Sequence, residues 1–139
     1  MLADYGSHHR TRGNLVCHFF GITLIVFGAL AMLAQIRVGP VSVAEIAIAA
    51  VVLYDATLDL SLAAGLLVAF AFLDVAARAA GWRFGLAAFA LGWTFQAIGH
   101  AVFEKNRPAF LKNLVHLLVG PLFLVNELLK VRRVASIPR

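Results

Sequence analysis

The stretch Gly92-Trp-Thr-Phe-Gln-Ala-Ile-Gly-His-Ala-Val-Phe-Glu-Lys-Asn-Arg-Pro108 carries ionisable groups out of a long apolar run and into a charged loop. Its spacing predicts an α-helix on which Gln96, His100 and Glu104, four residues apart, stack on one face, with Leu91, Phe95, Ile98 and Val102 on the others. Arg107-Pro108 ends the helix, because a residue before proline is pushed out of the α region and proline disfavours continuation. An imidazole and a carboxylate therefore lie side by side at the end of an apolar helix, near a membrane surface.

The rest of the composition agrees. Of 139 residues, 62% are hydrophobic and 14% charged, far from the balance of a soluble domain. Several apolar runs approach the roughly 20 residues that a hydrocarbon core of about 30 Å demands of a helix. The expected fold is all-α, a single-domain polytopic membrane bundle of about five transmembrane helices over 15–36, 41–58, 60–79, 82–103 and 109–130, after a polar arm at 1–13. The first apolar run is too long for a signal-peptide core and is expected to be retained. The protein is expected in the inner or plasma membrane of a bacterium, or the endoplasmic reticulum of a eukaryote. The 12 Lys and Arg behind the formal charge of +5 are spread over termini and loops, where they anchor spans at headgroups; no nucleic-acid partner is expected. The single cysteine, Cys17, excludes an intramolecular disulfide and a multi-cysteine metal site.

Asn14 is placed to cap the first helix, which stops at the Arg37 to Pro40 turn. The second run is short and meets a polar corner at Asp55-Ala-Thr-Leu-Asp59. In the third, Asp74 and Arg78 are four apart, a spacing that suits a structural ion pair near the membrane edge. Gly81-Trp82-Arg83 reads as a turn with an interfacial aromatic. Asn113, His116, Gly120 and Glu127 mark one partly polar face of the fifth run. For Glu127, deeper along that helix, packing or capping is at least as good a reading as ligation. Trp93 and the phenylalanines read as packing or lipid-facing residues.

Five alternating spans put the start of the first, the end of the fourth and the start of the fifth at one membrane face. His9, His18, His100, Glu104 and His116 all fall near those ends, although they are scattered through the sequence. One metal site could collect them, since ionisable groups inside spans are costly and turn toward one another or a cavity. Imidazole and carboxylate ligands with open positions suit a non-haem Fe(II) oxygen-activating centre, and zinc uses similar ligands for hydrolysis. Against this stands the bland reading of each histidine as an interfacial residue that hydrogen-bonds headgroups. His8 has the weakest claim, because one of two adjacent histidines usually points away.

Taken together, Tyr5, His9, Asn14, His18 and Gly21-Ile22, then Gln96-Ala-Ile-Gly-His100, Phe103-Glu-Lys105, Arg107-Pro-Ala109, Asn113-Leu, Pro121 and Glu127 give a chain that resembles the small membrane 2-hydroxy-fatty-acid dioxygenases of α-oxidation. The resemblance covers both ends of the chain and skips the middle two spans. It implies Fe(II)-dependent oxidation by O2 of a long-chain 2-hydroxy fatty acid to an acid one carbon shorter, within membrane lipid. It further implies His9, His18 and His100 as metal ligands and Glu104 as fourth ligand or base. Two positions depart from the family pattern: Thr23 stands where a proline is common, and His116 where glutamine is common, which weakens His116 as a ligand. Residues outside the resemblance leave two alternatives, a metal-dependent lipid hydrolase using zinc-bound water and a lipid-binding scaffold without catalysis.

Overall fold

A computed structural model describes residues 12–104 and Pro121. His8, His9, His116, Glu127, the side chain of Glu104 and the fifth span expected over 109–130 lie outside the described residues. Helix α1 runs from Arg12 to Leu33. Asn14 thus sits inside its first turn and is not the cap that the sequence suggests; its side chain is fully buried, taken up by tertiary packing. Thr23 satisfies its hydroxyl within the helix by donating to the Phe19 carbonyl at 2.7 Å. The helix tightens at its end, where Gln35 and Ile36 donate to carbonyls three residues back.

A small hairpin follows where the sequence showed only a turn: β1 (Arg37–Val38) pairs antiparallel with β2 (Val41–Ser42), Arg37 opposite Ser42. Gly39 takes φ 63°, the left-handed position that such a short loop requires at its start. Ser42 then opens helix α2 (Val43–Ala56) with a capping box: the Glu45 amide donates to the Ser42 hydroxyl, and the Ser42 amide donates to the Glu45 carboxylate at 2.6 Å. At 14 residues α2 rises about 21 Å, short of the roughly 30 Å of a hydrocarbon core, so the span expected over 41–58 is corrected to a shorter helix. The hairpin consumes its start, and at its end the Leu58 and Asp59 amides fold back onto the Asp55 carbonyl.

Helix α3 (Leu60–Ala80) starts at Asp59, whose carboxylate accepts from the Ser61 and Leu62 amides. Gly81, at φ 80°, breaks the chain direction before helix α4 (Trp82–Ile98). From Gly99 to Glu104 the chain continues as a π-helical turn. Three stretches, Gly13–Leu33, Leu60–Ala80 and Trp82–Phe103, are long and apolar enough to cross a membrane.

Two seams hold the described residues together. α1 packs most extensively on α4, and the pair is antiparallel: Gly28 meets the Gly85 carbonyl, Gly21 meets Gly92 and Gln96, and Asn14 meets Gly99. A methyl group placed at Gly92 would lie 2.8 Å from the Gly21 carbonyl oxygen and from the Ile25 amide nitrogen, so the two backbones touch. α3 packs on α2 and α1 through larger side chains: Leu62, Leu66 and Phe70 are buried against Val26, Ile48, Val51 and Val52. At the hairpin end, Arg78 donates to Asp74 at 2.7 Å and to the Ser42 hydroxyl at 2.8 Å, and lies 3.4 Å from Glu45. The Asp74–Arg78 pair expected from spacing is thus part of a tie between α3 and the start of α2.

Candidate metal site at the α1–α4 end

Far from that ionic tie, the start of α1 and the π-turn after α4 bring polar side chains into the interior. His18 lies in the second turn of α1 and is 4% exposed; His100 lies in the π-turn and is 3% exposed. Their ring centroids are 4.8 Å apart and their planes 87° to each other. Asn14 and Gln96 are buried beside them in the same seam, and so is Cys17. Leu91, Ile98 and Val102, on the other side of the α4 segment, are exposed.

The end of α4 differs from the straight α-helix expected for Gln96, His100 and Glu104. Six residues, Gly99–Glu104, are π-helical, with a wider turn than the i to i+4 repeat assumed. Gln96 and His100 still both turn inward. Widened turns of this kind recur at functional sites, because they re-aim a side chain relative to the helix that carries it.

The His18 ring is oriented by its own helix. Its Nδ1 lies 3.0 Å from the carbonyl oxygen of Asn14, and a carbonyl only accepts, so Nδ1 carries the proton. In the neutral ring Nε2 is then the nitrogen with the lone pair, the arrangement that a metal-ligating histidine takes when a carbonyl holds its other nitrogen. Imidazole nitrogens bound to a divalent ion such as zinc lie about 2.0–2.1 Å from it, so two such rings on one ion are close neighbours. The His18 and His100 rings, 4.8 Å apart, are such neighbours. Packed aromatic rings also meet edge to face; what adds to the contact here is near-complete burial of two polar rings, one of them with its proton fixed.

The pair offers imidazole donors of the kind that Fe(II) and zinc take. Among the described residues no group of three or more His, Cys, Asp and Glu side chains assembles, so the described part supplies a pair. His9, Glu104 and His116, the other donors expected from sequence, lie outside what is described. Of the residues that shape the pair, the sequence reading placed Gln96 on the right face and missed Gly99 and the role of the Asn14 carbonyl. The signal for Gly99 was present: Gly85, Gly92 and Gly99 recur every seven residues, as do Gly21 and Gly28.

The comparison with known proteins bears on this end of the chain and the rest alike. No solved structure matches the chain. The 2-hydroxy-palmitic acid dioxygenase MPO1 of Saccharomyces cerevisiae is 32% identical to it over 135 residues, which cover 92% of this chain and 77% of the yeast protein. The family model for Mpo1-like 2-hydroxy-palmitic acid dioxygenases matches residues 1–132, taking in the His18 and His100 segments together with everything between them. The chain belongs to the Mpo1-like family of 2-hydroxy-palmitic acid dioxygenases.

Proposed function

We propose that this chain is a multi-pass membrane enzyme, an Fe(II)-dependent dioxygenase that shortens a long-chain 2-hydroxy fatty acid by one carbon. The observation that carries the reading is the buried His18–His100 pair, assembled from two helices at one end of the bundle, in a member of this family. Fe(II), when bound, supplies the oxygen-activating chemistry that amino-acid side chains lack.

The chain's own residues do the rest. His18 offers Nε2, with its tautomer held by the Asn14 carbonyl, and His100 offers the second imidazole from the π-turn. His9 and Glu104 complete the donor set in this proposal. Burial of both rings excludes bulk water from the chemistry. The exposed Leu91, Ile98 and Val102 on the same segment suit contact with lipid, which supports a site reached by the polar end of a fatty acid whose alkyl tail stays in the bilayer.

The test is anaerobic purification in detergent, reconstitution with Fe(II) and incubation with 2-hydroxypalmitate, with and without O2. The expected product is one carbon shorter, formed only with iron and O2. His18→Ala and His100→Ala should each lose iron affinity by at least about tenfold and lose turnover while keeping helical content, whereas His8→Ala keeps both. Oxygen-independent lipid hydrolysis would replace this reading with a metal hydrolase. Absence of stoichiometric metal and of both activities would replace it with a lipid-binding protein.

A further inference from the structure

Gly99 is the first residue of the π-turn, and its backbone, φ −53° and ψ −49°, is ordinary right-handed helix that any residue adopts. Glycine is therefore not needed there for conformation; it is needed for space. A methyl group at Gly99 would lie 2.5 Å from Asn14 Oδ1, 3.0 Å from Cys17 Cβ and 3.5 Å from His18 Nδ1. All three atoms belong to the first two turns of α1, and one of them is the nitrogen whose proton the Asn14 carbonyl holds. The Cys17 Cβ is fixed to backbone, and Asn14 is fully buried, so neither yields without moving α1 or turning the Asn14 amide.

We propose that Gly99 is a positioning residue: its bare backbone lets the π-turn close onto the start of α1, where the Asn14 carbonyl holds the His18 ring, and so sets the approach of His100 to His18. That this positioning serves a metal rests on the function proposed above; the positioning itself does not. Gly92, two turns away along the same seam, is the matched control, because a methyl group there also strikes the α1 backbone, but its three nearest atoms belong to Gly21 and Ile25 and not to Asn14 or His18.

Gly99→Ala, Gly92→Ala, the double variant Asn14→Ala with Gly99→Ala, and the unaltered full-length chain would be compared in detergent by two readouts. The first is the ¹⁵N imidazole spectrum of histidine-labelled apo protein, which distinguishes a ring protonated at Nδ1 from one protonated at Nε2. The second is titration with Co(II), followed by its visible absorption. In the unaltered chain one buried histidine should report the Nδ1-protonated form, assigned by its loss in His18→Ala. Gly99→Ala should shift that signal, because the added methyl group meets the Asn14 side chain and the Nδ1 edge of His18, and should weaken Co(II) binding by at least about tenfold, with helicity kept. Gly92→Ala should lower the melting temperature and, by spreading the seam, weaken Co(II) binding, yet leave the imidazole signal where it is in the unaltered chain. In the double variant, loss of the Asn14 side chain makes room for the added methyl group and should reverse much of both changes. Equal effects of Gly92→Ala and Gly99→Ala on the imidazole signal, or an unchanged signal in Gly99→Ala, would overturn the positioning role. An unaltered chain that binds no Co(II) would instead count against the metal reading, while the imidazole comparison still decides the inference about Gly99.

Discussion

The glycine seam between α1 and α4 and the aliphatic seam between α2 and α3 solve the same problem in opposite ways. In the first, Gly21, Gly28, Gly85 and Gly92 let backbone meet backbone, so the helix separation is set by atoms that have no rotamers. In the second, Leu62, Leu66 and Phe70 fill the gap with side chains that can repack. The histidine pair stands at the end of the glycine seam. A site whose donors come from two helices needs their separation fixed to within a fraction of an ångström. Backbone contact supplies that, and for helices in lipid it is also a source of affinity that does not depend on the hydrophobic effect.

The largest expected effect comes from reversing this. Gly92→Leu would drive a side chain into the Gly21 carbonyl and the Ile25 backbone, where nothing can rotate away, and the chain should fail to give a folded, monodisperse species in detergent. Leu66→Ala in the other seam removes buried methyl groups and should cost about 2–5 kcal/mol while leaving the fold intact. Size-exclusion profiles and thermal melts followed by circular dichroism measure both. If Gly92→Leu were milder than Leu66→Ala, the two seams would not differ in the way drawn here.

The sequence carried the helices well, because runs of apolar residues broken by Gly, Pro and charge are a direct record of where a chain can be buried. Alternating helix directions bring the start of α1 and the end of α4 to one end, where the His18 and His100 rings lie 4.8 Å apart, although α2 is shorter than the spanning helix expected from sequence. The Asp74–Arg78 spacing also announced its pair. What it carried less well were features decided by tertiary contact. Asn14 has a capping residue's side chain, yet it lies inside the first turn because Gly99 packs against it. The π-turn leaves no mark in a pattern read at 3.6 residues per turn. The capping box at α2 was available in Ser42-Val-Ala-Glu45 and would have shown that the second helix begins late.

A smaller effect tests whether the aliphatic seam is free of functional polarity. Asp55, near the end of α2, is fully buried, and neither carboxylate oxygen has a hydrogen-bond partner among the described residues. A carboxyl group in that position costs stability whether it is ionised or neutral. Asp55→Asn keeps the shape and removes the ionisable group, and it should stabilise the protein by about 1–2 kcal/mol near neutral pH, measured by thermal or denaturant unfolding in detergent. Destabilisation of that size would mean that Asp55 is engaged in a way that an apolar seam does not explain. The contrast with the histidine end would then be one of degree.

The smallest effect asks whether the seams are independent. Asp59 holds the start of α3 by accepting from the Ser61 and Leu62 amides at 3.0 and 3.1 Å, and Leu62 is a central residue of the aliphatic seam. Asp59→Ala leaves those donors to water and should cost about 1 kcal/mol, seen as a small drop in melting temperature. Because α3 packs on α1 more than on α4, and the separation of α1 from α4 is set by backbone contact, the loosened α3 should leave iron affinity and the His18 tautomer unchanged. The measurement is iron binding and the imidazole spectrum at a temperature where the variant is fully folded. A shift in either, out of proportion to so small a loss of stability, would show that the aliphatic seam helps to set the histidine geometry, and the glycine seam would no longer be the sole device that fixes it.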